Sequence, residues 1–184
     1  MRTGSEGTRL VFLRGNSGSG KSTVAGLVRE RYGARDMAVI GQDVVRRTVL
    51  KEKESGCSGH VTVGMVDVMA RYALAAGFHV VVEGIYGARR YGEVFRALAA
   101  DHVGVTAAFY FDVPFEETVR RHGTRTKAGS FGEAEMRSWW KPEDLIPGLD
   151  EALVGPDLSA EETAALVLAR VGLPDGGLVR PAAT

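Results

Sequence analysis

Gly15-Asn16-Ser17-Gly18-Ser19-Gly20-Lys21-Ser22 fits the pattern G-x-x-x-x-G-K-[ST], and the chemistry of that spacing is the binding of a nucleoside triphosphate. Glycines let the backbone curl until successive N–H groups face inward as an anion nest, and a helix starting there adds partial positive charge. In such a nest Lys21 reaches the β- and γ-phosphates, Ser22 joins the coordination of Mg2+, and Thr23 assists at the α-phosphate. Passing a phosphoryl group to a hydroxyl also needs a carboxylate that accepts the proton. Asp43 is placed for this task after the apolar run Met37 to Gly41, with Arg46 three residues on and Arg47 beside it. The same aspartate could instead cap a helix opening at Val44.

Three further groups carry possible chemistry. Glu83 closes the run Val80-Val81-Val82, where it could hold a metal-bound water, bind the acceptor or tie loops together. Arg120, Arg121, Arg125 and Lys127 form a basic stretch. Arg121 and Arg125 are four residues apart, so on a continuous helix both would face a triphosphate and grip it with forked donors. A basic helix end complementing its own dipole is the other reading. Trp139-Trp140 could stack an aromatic acceptor or pack in the core or a hinge. His60, His79, His102 and His122 show no catalytic spacing. The single cysteine, Cys57, has no partner for a disulfide or a structural zinc site.

Elements that could bring these residues together alternate along the chain. Short apolar runs at Arg9–Arg14, Met37–Gly41, Phe78–Val82, Val103–Val113 and, weakly, Ala152–Val154 predict strands. Between them lie expected helices at Lys21–Tyr32, Val44–Leu50, from Val61 to a stop at Gly77, around Tyr91–Leu98, after Pro114, at Glu133–Trp140, and from the capping box Ser159–Glu162 to about Val171. In the third of these, Val61, Met65, Val68, Met69 and Tyr72 recur at helical spacing. Residues 51–60 read as a flexible connection. Such alternation implies an α/β domain with a parallel sheet covered on both faces, and ligands then bind at the carboxyl ends of the strands.

The chain has 184 residues, 45% apolar and 25% charged, an ordinary globular composition that excludes disordered and low-complexity classes. One domain over residues 1–173 with a frayed tail at 174–184 is expected, burying roughly 70% of the unfolded surface. Lys and Arg number 23 against 23 Asp and Glu, so the whole molecule lacks the field that drives tight binding to long nucleic acid, while a local basic patch remains allowed. A polar N-terminus and short apolar runs predict a cytoplasmic protein with no membrane partner.

Gly15 to Ser22, Asp43-Val44-Val45-Arg46, Phe111-Asp112-Val113-Pro114 followed by Val119, Arg121, Arg125 and Thr126-Lys127, and then Met136-Arg137-Ser138 resemble the polynucleotide 5′-hydroxyl kinases. The likeness extends to related small P-loop kinases that include chloramphenicol phosphotransferase and the zeta toxins, and it spans about residues 9–140. It implies a P-loop NTPase three-layer sandwich with a parallel five-stranded sheet in the order 2-3-1-4-5 and a small helical lid at about 122–140. By the same resemblance Asp43 is the general base and Arg46 contacts a phosphate beside the acceptor hydroxyl. Where those kinases show Asp-Thr-Asn after the third strand, this chain has Glu83-Gly84-Ile85.

The resulting expectation is an ATP-dependent (or other NTP-dependent), Mg2+-requiring phosphotransferase acting on a small hydroxyl acceptor such as a nucleoside, sugar or antibiotic. Its catalytic set would be Lys21, Asp43 and Arg125, with Arg46, Arg47 and Glu83 around the acceptor, in a monomer or homodimer. A kinase of RNA or DNA 5′ ends is the alternative, with Arg46 or Arg47 gripping the terminal phosphodiester. A nucleotide-dependent switch is a third reading; it needs a partner-binding surface, and no exposed apolar stripe stands out in the sequence.

Overall fold

The computed structural model describes residues 1–52, 59–123 and 132–177. Its strands are β1 (Arg9–Gly15), β2 (Met37–Gly41), β3 (His79–Gly84), β4 (Val105–Phe111) and β5 (Glu151–Val154). They form one sheet in the order β2-β3-β1-β4-β5 with every neighbouring pair parallel, so the expected 2-3-1-4-5 architecture is the one observed. The helices are α1 (Lys21–Tyr32), α2 (Gly59–Ala75), α3 (Ala88–Asp101), α4 (Phe115–Gly123), α5 (Glu133–Trp139) and α6 (Ala160–Val171).

Successive strand residues point to opposite faces, so the apolar runs of β1 and β3 feed two cores. Leu10, Phe12, Val80 and Val82 pack with Val66 and Leu74 of α2 and with Tyr91, Phe95 and Leu98 of α3. Val11, Leu13 and Val81 pack with Val24 and Val28 of α1 and with Val167 and Leu168 of α6. The first core is aromatic at its centre, where the Phe95 ring lies 4.7 Å from Phe12 and 5.0 Å from Tyr86. Truncating Phe95 to alanine there would cost about 3–5 kcal/mol.

Helix ends follow the sequence. Gly33 stops α1 in the left-handed conformation with its N–H on the Arg29 carbonyl. At α6 the Ser159 hydroxyl accepts from the Glu162 N–H at 3.1 Å while the Glu162 carboxylate accepts from the Ser159 N–H at 2.9 Å. Of the expected frayed tail, residues 174–177 are tied to α1: Asp175 pairs with Arg31, and the Gly176 N–H donates to the Arg31 carbonyl at 2.9 Å. Residues 178–184 lie outside the described residues.

Two expectations change. α2 buries Val63, Val66, Ala70 and Leu74, whereas Val61, Val68, Met69 and Tyr72 face outward, Tyr72 with 78% of its surface exposed. Both stripes are apolar at helical spacing, so periodicity alone did not choose between them, and the molecule carries an apolar stripe that was not expected. The segment Val44–Val49 is a wide π-type turn, closed by the Leu50 N–H on the Val45 carbonyl at 2.9 Å. Most of the connection expected at 51–60 falls outside the described residues. Among the described residues no helix is long and apolar enough to cross a membrane.

Candidate active site

β1 runs straight into the loop Gly15–Gly20, and α1 opens at Lys21. Gly18 has φ +80°, and a Cβ there would stand 2.5 Å from the Thr118 carbonyl, so the loop can lie against α4 only without a side chain. Gly20 has φ +104° and caps α1 without a side-chain hydrogen bond, which leaves the cap to the backbone. Lys21 is buried and its Nζ donates to the Asn16 carbonyl at 2.6 Å and to Ser19 Oγ at 3.0 Å, so the ammonium is held within the loop. A glycine loop opening into a helix N-terminus beside one held cation suits a polyphosphate.

The Asn16 side chain turns away from the loop. Its Nδ2 donates to the Lys141 carbonyl at 2.7 Å and its Oδ1 accepts from the Lys141 N–H at 2.9 Å. Ser22 Oγ donates to Glu83 Oε2 at 2.9 Å, which brings the hydroxyl of the motif against the carboxylate at the end of β3. A Cβ on Gly41 would stand 2.7 Å from Glu83 Oε1, so the bare glycine gives this carboxylate its room. One hydroxyl and one carboxylate, completed by phosphate oxygens and water, form a donor set that fits Mg2+. Among the described residues no cluster of three or more His, Cys, Asp or Glu side chains offers a separate metal site.

Asp43 follows β2 and is 71% exposed, with Arg47 Nε 3.6 Å from its Oδ1. Its side chain makes no cap hydrogen bond to the turn at Val44, so the alternative role as a helix cap is not taken up. Two cavities meet at this residue. A small one of about 80 Å³ is lined by Ser17, Gly18, Gly20, Lys21, Ser22 and Glu83. A larger one of about 760 Å³ is lined by Arg46, Arg47, Arg89, Arg90, Trp139 and Lys141. Ser17, Gln42, Asp43 and Ile85 border both.

Arg46 lines the larger cavity and donates through Nε to Glu52 at 3.3 Å. Arg121 lies at the loop's other side, with Nη1 donating to the Ser19 carbonyl and Nη2 to the Pro156 carbonyl, each at 3.2 Å. Glu117 holds it from behind, and hydrogen bonds from Arg120 and Arg121 bring the Glu117 carboxyl down to about 2. Arg125 and Lys127 lie outside the described residues. The tryptophan pair divides: Trp139 lines the cavity, while Trp140 packs edge-on against Phe115 with centroids 5.9 Å apart. Met136 of α5 is buried against the loop, its Cε 3.2 Å from a Cβ position on Gly18.

Three features of the site had not been singled out in the sequence. Arg14, the residue before the loop, is fully buried: its Nη1 donates to both Glu151 carboxylate oxygens at 2.7 and 2.8 Å, Nε donates to the Tyr86 carbonyl at 2.9 Å, and Nη2 donates to the Asp144 carbonyl at 2.8 Å. A charge ending an apolar strand was the available signal. Gln42 joins two loops, its Nε2 donating to Tyr91 Oη at 3.1 Å and its Oε1 accepting from the Ile85 N–H at 3.1 Å. Arg89, Arg90 and Lys141 carried no spacing signal at all. The loop after β3 is shaped by Tyr86, which is buried at φ +34° and whose phenol burial pushes well above its usual value.

Solved structures resemble this fold along nearly its whole length. The Mycobacterium tuberculosis APS kinase CysC in complex with AMPPNP and APS is 22% identical, with 94% of this chain and 99% of that one covered at a TM-score of 0.69. A gluconokinase from Sinorhizobium meliloti 1021 is 20% identical, with 91% and 93% covered at 0.64. A chain of the Pnkp1/Rnl/Hen1 RNA repair complex is 15% identical, with 96% of this chain but 51% of that one covered at 0.56. None of the curated proteins gives a significant match. The profile of the family described as an AAA domain, AAA_33, matches residues 10–140, from the first strand through the loop to α5, and the chain belongs to that family.

Proposed function

We propose that this protein is a Mg-ATP-dependent kinase that transfers the γ-phosphoryl group to a hydroxyl of a small acceptor, with Asp43 as general base. The observation that carries the reading is the position of Asp43 on the border between the two cavities, Lys21 and Ser22 on one side and the larger cavity on the other. The acceptor hydroxyl gives its proton to the Asp43 carboxylate as its oxygen bonds to the γ-phosphorus, and the bond from that phosphorus to the β–γ bridging oxygen breaks to release ADP. Lys21 holds the β- and γ-oxygens and Arg121 steadies the loop through the Ser19 carbonyl. Ser22 and Glu83 would hold the divalent cation, which neutralises phosphate charge when bound. Arg125 is retained as the lid cation that would complete the site on closure.

Fold neighbours that include an APS kinase, a gluconokinase and a sugar kinase support small-molecule transfer. The alternative, a kinase of nucleic-acid 5′ ends of the kind the sequence resembles, draws support from Arg46 and Arg47 at the cavity wall and from the likeness to the RNA repair complex. Incubation with γ-labelled ATP, Mg2+ and a panel of nucleosides, sugars, aminoglycosides and 5′-hydroxyl oligonucleotides decides between them. Asp43→Asn should keep nucleotide binding in calorimetry and lose transfer by about 10²–10⁴-fold. Unchanged turnover would remove the base assignment.

A further inference from the structure

We infer that the acceptor is an anion: an alcohol that carries a phosphate-type group away from the hydroxyl that is phosphorylated. The inference rests on the kinase reading in taking the larger cavity as the acceptor's place. Five cations line that cavity, Arg46, Arg47, Arg89, Arg90 and Lys141, against two carboxylates, Asp43 and Asp144. The imbalance is local, since the chain as a whole has no net charge.

Neither carboxylate forms an ion pair with Arg89, Arg90 or Lys141 among the described residues. Asp144 Oδ2 accepts from the Ala88 N–H at 2.8 Å and lies 3.4 Å from Arg14, so it is occupied in fixing the loop before α3. Asp43 stands at the border with the small cavity, beside Arg47. Arg46 is engaged by Glu52. Arg89, Arg90 and Lys141 enter no ion pair among the described residues, and they come from two separate elements, the start of α3 and the segment after α5, to line one space. Lys141 Nζ and Asp144 Oδ2 lie 3.5 and 3.6 Å from a Cβ position on Gly87, so the lysine sits over the loop that leads into the two arginines, with Asp144 against the same loop. Arg89 and Arg90 are exposed where they line this space, and their forked guanidiniums match phosphate or sulfate oxygens. At about 760 Å³ the cavity has room for a nucleotide-sized molecule. Trp139, half-buried at its edge, gives the uncharged part of such a molecule an aromatic surface.

The only two tryptophans are Trp139 and Trp140, so intrinsic fluorescence reports on this wall. With AMPPNP saturating the loop, the protein is titrated with ribose against ribose 5-phosphate and with adenosine against adenosine 3′-phosphate. The phosphorylated member of at least one pair should bind at least 10-fold more tightly. That advantage should collapse in 0.5 M KCl and in Arg89→Ala/Arg90→Ala, and largely return in Arg89→Lys/Arg90→Lys. Equal affinity within both pairs, or an advantage that survives the alanine double variant, overturns the inference. A 5′-hydroxyl oligonucleotide that binds far more tightly than adenosine 3′-phosphate supports the anionic class and assigns its source to a nucleic-acid end. Failure of AMPPNP itself to bind would instead sink the kinase reading, and the sugar and nucleoside pairs measured without it still test the preference for anions.

Discussion

Asn16 and Lys141 are paired through two hydrogen bonds across 125 positions of chain, the asparagine amide meeting the lysine backbone as one strand residue meets another. The second residue of the phosphate loop is therefore fixed to the segment that leaves α5 and carries Lys141 into the larger cavity. Asn16→Ala should cost about 1–3 kcal/mol in urea denaturation, because the Lys141 amide and carbonyl lose their partners. Asn16→Asp, which still accepts but cannot donate, should fall between the two. In turnover, the alanine variant should raise the acceptor KM more than it lowers kcat; an unchanged KM would show that the pairing serves stability alone.

Arg14 and Glu151 form an ion pair with essentially no solvent contact, at side-chain exposures of 0% and 1%. Removing one partner leaves a buried charge, so Glu151→Gln should destabilise the fold by about 3–5 kcal/mol. Arg14→Met with Glu151→Leu should cost less than the two single changes added together, and a double-mutant cycle measures the difference. Additive losses would mean that the contacts of Arg14 to the Tyr86 and Asp144 carbonyls dominate.

Glu83 is close enough to Ser22 to share one cation. Glu83→Gln keeps an oxygen for the serine hydroxyl but removes the charge. The Mg2+ concentration at half-maximal transfer should then rise about 10-fold, the change in affinity expected from the loss of a charged ligand or its support. If acceptor KM moves and the Mg2+ requirement does not, the carboxylate belongs to acceptor recognition.

Burial holds His102 below its ordinary value of 6.5, with the nearby charge of Arg9 acting in the same direction, and its ring nitrogens lie 3.0 Å from Thr8 Oγ1 and 2.8 Å from Thr106 Oγ1. The folded state therefore binds its proton at lower pH than the unfolded chain. As pH falls from about 6.5 toward the folded value the unfolded state gains protons first, and stability drops. His79 shifts in the same direction through burial. Thermal melts at pH 7.5 and 5.5 should show a fall in Tm that becomes smaller in His102→Asn; an equal fall in both proteins would assign the acid sensitivity elsewhere.

The phosphate loop and the strands were legible because each is local: a glycine pattern between an apolar run and a helix, and runs of Leu, Val and Phe that only a sheet covered on both faces can bury. The order of the strands is not local and came only through resemblance. Asp43 and Glu83 could be found because an acid that ends an apolar run stands at the sheet's carboxyl edge. Arg89, Arg90 and Lys141 could not, since an arginine on the first turn of a helix looks the same whether it meets water or a cavity. The inner face of α2 stayed hidden because Val61, Val68 and Tyr72 mimic a core stripe as well as Val63, Val66 and Leu74 do.

The guanidinium of Arg14, on the residue that leads into the nucleotide loop, touches the turn after β3, the stretch beyond α5 and the first residue of β5. These pieces come from distant parts of the chain, so any variant made by transplanting the turn at 85–87 must preserve a carbonyl aimed at Arg14. Swaps that move Tyr86 without its anchor should scramble donor and acceptor geometry together, which makes residues further out, such as Arg89 and Arg90, the safer places to retune what this scaffold accepts.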